Sequence, residues 1–151
     1  MIRDDIKAAT IAAMKGGDKE TTATLRMVSA SIKNRDIEAR TGGAPKDDDA
    51  LVTEVLQKMV KQRRESAELY RKGGREDRAA AEEQEIAVIE RFLPRQLSDE
   101  EASAQIRAII AETGASSMKD MGRVMALVKE RLGASIDPAR ASGLVKAALN
   151  S

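Results

Sequence analysis

With one Phe, one Tyr and no Trp in 151 residues, any core this chain builds has to come from Ala, Leu, Ile, Val and Met. Most of those side chains are straight or small and lose little rotamer freedom in a helix. A β-sandwich or barrel would want far more aromatic and β-branched residues. The chain is therefore expected to be all-α. At this length roughly 68–70% of the unfolded surface is buried on folding, enough for a core without staples.

Gly and Pro cut the sequence into seven helical segments, none of which alternates like a strand. Ile2 to Lys15 puts Ile2, Ile6, Ala9 and Ala13 on one face and stops at Gly16-Gly17. Asp18 caps a second segment carrying Leu25, Val28 and Ile32, which runs to the loop Thr41-Gly42-Gly43-Ala44-Pro45. Asp47 to Asp49 open a third, with the stripe Val52, Val55, Leu56, Met59, Val60 and Leu69. After Gly73-Gly74 a fourth spans about residues 75–93 and is apolar at Ile86, Ile89, Phe92 and Leu93. Pro94 disfavours helical geometry at Leu93.

Beyond Pro94 the pattern changes. Ser98-Asp99-Glu100-Glu101 is a capping box for a fifth segment with Ile106, Ile109 and Ile110, ending at Gly114. Ser117-Met118-Lys119-Asp120 caps a sixth, with Met118, Met121, Val124, Met125, Val128 and Leu132 inward. Asp137-Pro138 opens the last, where proline's missing N–H costs nothing, and Leu144, Val145, Ala148 and Leu149 turn inward. The reading is an N-terminal four-helix lobe, residues 1–95, followed by a small three-helix lobe, residues 96–151.

The formal charge is +1, so any site for a polyanion has to be local. Without Cys there are no disulfides or thiolate metal sites, and without His the commonest metal ligand is missing. Met1-Ile2-Arg3-Asp4-Asp5 has acids where a secretory signal has a basic lead-in. No apolar run approaches the roughly 20 residues of a membrane span. A cytoplasmic protein without membrane contact is expected.

No catalytic centre is legible. Ser116-Ser117-Met118-Lys119 matches a Ser-x-x-Lys acyl-enzyme pattern, but its companion motifs are missing and its hydroxyls stand where a helix cap belongs. Glu100 and Glu101 occupy a first helical turn, where the macrodipole favours negative charge. Asp47-Asp48-Asp49 lacks the alternating ligands, the Gly and the closing Glu of a Ca²⁺ loop. The Gly-Gly pairs have neither P-loop nor dinucleotide context. Neither metal nor cofactor is expected.

Two regions carry local signals. Residues 58–75 hold Lys58, Lys61, Arg63, Arg64, Arg71, Lys72 and Arg75 against Glu65 and Glu68, an excess of five positive charges. Lys61, Arg64, Arg71 and Arg75 share a face by helical spacing and could meet RNA phosphates. Two bland uses compete: i,i+4 pairing of Lys61 with Glu65 and Arg64 with Glu68, or docking of the acidic segment 76–90 onto the basic one. The second region is the loop Glu112 to Ser117, which presents backbone N–H groups to an anion, with Lys119 and Arg123 on the following turns.

Several segments together resemble YqeY-like proteins. They are Ala13-Met14-Lys15 with Asp18-Lys19, Thr24-Leu25-Arg26-Met27, Ile32-Lys33-Asn34, and Val55 to Ser66. Gly74-Arg75-Glu76-Asp77, Glu90 to Ser98, and Thr113-Gly114-Ala115-Ser116-Ser117-Met118-Lys119-Asp120-Met121-Gly122-Arg123-Val124-Met125 complete the match, which covers essentially the whole chain. The C-terminal lobe resembles the tail domain of the B subunit of glutamine-dependent tRNA amidotransferases, which helps to hold the tRNA. The resemblance extends to modules appended to some aminoacyl-tRNA synthetases. By position, Gly114, Ala115, Ser116, Lys119, Gly122 and Arg123 match the tail's motif region. Gly133-Ala134-Ser135-Ile136-Asp137-Pro138 departs from the more basic turn of many relatives.

The resemblance implies a tRNA-binding or tRNA-enzyme accessory protein of the GatB/YqeY type, without its own catalytic centre. Its nucleic-acid contacts would be Lys61, Arg63, Arg64, Arg71, Arg75 and the six motif residues. Its partners would be tRNA and an aminoacyl-tRNA synthetase or amidotransferase. Two alternatives stand beside it: a component of a carbon–nitrogen ligase system that uses glutamine as amido-N-donor, and a protein-binding helical adaptor.

Overall fold

The computed structural model describes residues 1–150. Among them are seven α-helices, two 3-10 turns and no strand. The helices are α1 (Ile2–Lys15), α2 (Lys19–Ala39), α3 (Asp48–Lys72), α4 (Glu76–Glu90), α5 (Asp99–Thr113), α6 (Met121–Leu132) and α7 (Pro138–Leu149). No helix is long and apolar enough to cross a membrane. The chain divides into two compact units, Met1–Leu93 and Pro94–Ser151.

In the first unit α3 packs chiefly on α4, while α1 and α2 pair and both touch α3. Ile6, Leu25, Val28, Ile32, Val52, Leu56 and Ile89 form its centre. Each such fully buried Ile or Leu is worth about 1.5–3 kcal/mol by area. Polar ties fix the helix starts. Asp18 accepts from the Thr21 N–H at 3.1 Å and Asp47 from the Ala50 N–H at 3.1 Å. The neighbouring acids do something the sequence did not suggest. Asp49 accepts from the Ile2 N–H at 2.9 Å, and Arg3 donates to Asp48 at 2.8 Å and to Asp36 at 2.8 and 2.9 Å. One guanidinium thus joins α1, α2 and α3.

In the second unit α5, α6 and α7 enclose Ile106, Val124, Val128 and Val145. The Ser98 capping box forms in both directions, at 3.1 Å each way. Leu97 donates its N–H to the Ser135 carbonyl at 2.8 Å. Arg140 holds Asp99 at 2.6 Å and the Leu97 carbonyl.

Three local expectations need correction. Leu69 is 68% exposed and leaves the α3 stripe, whose place there is taken by buried Ala67. Nine residues after Val60 amount to half a turn off the stripe. α4 ends at Glu90, because Arg91, Phe92 and Leu93 donate to carbonyls three residues back, at 3.1–3.3 Å. That is 3-10 tightening ahead of Pro94. Ser117 opens a 3-10 turn, Met118–Asp120, and α6 begins only at Met121. Met118 therefore stays exposed, while Met121 and Met125 pack partly against the core.

Candidate functional site

The basic stretch of α3 faces a helix that carries its counter-charges. Arg63 Nε donates to Glu85 at 2.9 Å, and its Nη1 reaches the Met59 carbonyl at 3.3 Å. Arg64 lies 3.4 Å from Glu90. Arg71 grips Glu76 at 3.1 Å and also pairs with Glu83. Arg75, the residue that caps α4, pairs with Asp77 at 3.3 Å. Four of the five cations expected to meet RNA from this unit are thus spoken for by α4 or its first turn. Lys61 alone of the five makes no ion pair among the described residues. The i,i+4 pairs Lys61–Glu65 and Arg64–Glu68 do not form, and Arg64 reaches across to α4 instead. Glu68 instead takes Lys72 at 3.4 Å.

The protonation energetics agree with this pairing. Hydrogen bonds from Arg71 hold the Glu83 carboxyl below its ordinary range, and those to Glu83 and Glu76 raise Arg71. Glu82, which has no such partner, is pushed up by burial and by neighbouring Glu85. A cation bound to a carboxylate has little net charge left to release counterions from a phosphate backbone.

The loop of the second unit is built tightly. Gly114 ends α5 with φ at +69°, the left-handed region that glycine enters without strain. The Ala115 N–H returns to the Ile110 carbonyl at 3.2 Å. The Ser117 hydroxyl accepts from the Lys119 N–H at 3.3 Å. Asp120 Oδ2 accepts from the Ser116 and Ser117 N–H groups at 3.0 and 3.4 Å. The backbone donors that the sequence offers to an anion are therefore filled by the chain's own carboxylate. Those bonds, with Ser116 first, hold Asp120 below the usual Asp range. Arg123 pairs with Asp120 at 3.2 Å and remains half exposed. Lys119 is exposed and unpaired among the described residues.

Gly122 has no structural excuse. It sits in the first turn of α6, and a Cβ placed on it meets nothing within 4 Å. A glycine there costs about 1 kcal/mol relative to Ala. Of the six motif residues, Gly114, Ser116, Lys119 and Arg123 cluster around one turn, and Ala115 packs partly against the core. Among the described residues no group of three or more His, Cys, Asp or Glu could hold a metal ion.

Comparison with known proteins places the chain against one family. The model of the Yqey-like protein family matches residues 3–149. A protein of Vanderwaltozyma polyspora named altered inheritance of mitochondria protein 41, mitochondrial, is 35% identical over 92 residues, 61% of this chain and 46% of its own length. Its namesake in Eremothecium gossypii is 34% identical over 113 residues, 74% of this chain and 58% of its own. The namesake in Clavispora lusitaniae is 30% identical over 137 residues, 89% of this chain and 75% of its own. The chain spans about half the length of the first two.

These names correct the cytoplasmic expectation. All three relatives are named as mitochondrial proteins. The expectation rested on the acidic residues near Met1 and on the lack of a long apolar run, and neither feature tells one compartment from another.

Proposed function

The chain belongs to the Yqey-like protein family, and from that premise we propose that it is a tRNA-binding or tRNA-enzyme accessory protein. It supplies contact surface, and its partner supplies the chemistry. One observation carries this reading: the turn from Gly114 to Arg123 is held rigid by its own hydrogen bonds yet leaves Lys119 unpaired. A preorganised backbone with a free cation loses little entropy on meeting a phosphate. Gly122, unneeded by the packing, allows close approach of a backbone to α6.

The test is an electrophoretic shift of a mixed tRNA fraction by the full chain and by Lys119→Glu with Arg123→Glu. The double variant should bind at least tenfold more weakly at low salt, through loss of the Lys119 phosphate contact and repulsion from the two new carboxylates. Unchanged binding would remove the turn from the interface.

A second reading, the protein-binding adaptor, has its own support. Ile11 and Met14 share one face of α1 and are each 53% exposed. Exposed large apolar side chains on one helix face suit a partner protein. A pull-down that survives ribonuclease and is lost in Ile11→Ser with Met14→Ser would favour it.

A further inference from the structure

Helix α1 shows solvent an apolar strip that the rest of the first unit does not cover. Its inner face goes to the core through Ile2, Ile6 and Ala9, against α2 and α3. On the other side Ile11 and Met14 are each 53% exposed. Asp4, Ala8, Ile11 and Lys15, all exposed, follow one another at steps of four, three and four residues. With 3.6 residues per turn those steps line them up along one side of the helix. Lys7 and Met14 run along one edge of that line.

The strip is complementary to itself. Asp4 and Lys15 lie equally far from the point midway between Ala9 and Thr10, and so do Ala8 and Ile11. A twofold axis through that point, perpendicular to the helix, sets a second α1 antiparallel to the first. Asp4 then stands opposite the partner's Lys15, and Ile11 opposite the partner's Ala8. Each contact occurs twice, as an isologous interface requires. A large side chain meets a small one in the middle, opposite charges meet at the ends, and the two macrodipoles oppose. Parallel packing would instead set Asp4 against Asp4 and Lys15 against Lys15. Neither residue makes an ion pair within the chain among the described residues. The macrodipole by itself accounts for an acid in the first turn and a base in the last. It gives no reason for Ile11 and Met14 to stand in water, whereas cover by a second helix does.

We infer that the outer face of α1 is a self-association surface whose occupant is the antiparallel α1 of a second copy of this chain. The inference deepens the adaptor reading, naming the chain itself as the partner, and is independent of the tRNA reading. Met14 packs along the alkyl stem of the partner's Lys7, which keeps its ammonium group in water. One side of a four-turn helix makes a small interface, so the dimer is a transient one.

Sedimentation of the full chain over a concentration series reaching about 1 mM reads the association directly. Wild type should move from monomer towards dimer as concentration rises. Ile11→Ser removes the central contact, while Asp4→Lys and Lys15→Glu each set like charges against one another. All three should weaken association by about tenfold or more. An equal mixture of Asp4→Lys and Lys15→Glu should restore it, because both lysines of the first variant then face carboxylates of the second. Circular dichroism melting checks that each variant folds. Wild type that stays monomeric throughout would overturn the inference, and so would a dimer that the charge reversals leave unchanged or that the mixture fails to restore. A ribonuclease-resistant pull-down by a chain that stays monomeric would overturn self-association and leave the adaptor reading standing. Neither dimer nor pull-down would overturn both.

Discussion

The Arg63 guanidinium on α3 donates to the Glu85 carboxylate on α4 at 2.9 Å, with the two side chains 14% and 31% exposed. Half-buried pairs of this kind are costly to break from one side, because the remaining charge is stranded. Arg63→Ala should therefore destabilise the fold by about 1–3 kcal/mol, read as a lower urea midpoint at unchanged m-value. The double variant with Glu85→Ala should lose less than the sum of the two singles. Additive losses would mean that the pair contributes nothing.

If α4 neutralises the arginines of α3, removing its acids should release them. Glu83→Gln with Glu90→Gln frees Arg71 from one partner and Arg64 from its carboxylate. Affinity for tRNA should rise about three- to tenfold at low salt, with a steeper salt dependence. An unchanged affinity would show that this face stays remote from the RNA.

Gly122 and Gly143 form a matched pair, both in helices and both with open space where a Cβ would go. Each change to Ala should raise stability by about 0.5–1 kcal/mol. Only Gly122→Ala should weaken tRNA binding, since it alone lies in the turn assigned to the contact. Equal effects of both on binding would make Gly122 an ordinary helix position.

Acid should attack the first unit at the Arg3 junction. Hydrogen bonds from Arg3 hold the Asp36 carboxyl below its ordinary value. A carboxylate whose pKa is lower in the folded state stabilises fully above its unfolded value, about 3.9, and that support drains away as pH falls through the folded value. Stability should thus be flat near neutrality and fall below about pH 4. Asp36→Asn should be less stable at pH 7 and show a shallower acid limb in urea titrations. An identical acid limb in the variant would remove Asp36 from the transition.

Much of the helical layout was legible because it is written locally. Asp18, Asp47, Ser98 and Asp137 all accept from the backbone N–H groups of their own first turns, and such caps depend on three or four adjacent residues. What the sequence obscured was pairing across helices. The charge pattern offered docking of the acidic segment 76–90 beside i,i+4 surface pairing, but not which carboxylate meets which arginine, because Glu83, Glu85 and Glu90 lie 12 to 26 residues further along the chain, as at Arg71–Glu83 and Arg64–Glu90. Spacing alone could not choose docking over surface pairs. The Ser116–Ser117 donors looked vacant because Asp120 was read as a helix-opening residue rather than as their acceptor. Arg3 went unnoticed entirely, since a lone arginine beside two aspartates gives no sign of reaching Asp36 and Asp48.

The central claim is that these helices contribute surface to RNA handling, and tRNA binding by the purified full chain across a salt series tests it most directly. The account predicts binding at low salt whose logarithm falls linearly with the logarithm of salt, with a slope of about −2 to −4, and no turnover of ATP or glutamine in the same samples. Absence of binding at low salt, or binding indifferent to salt, would contradict it.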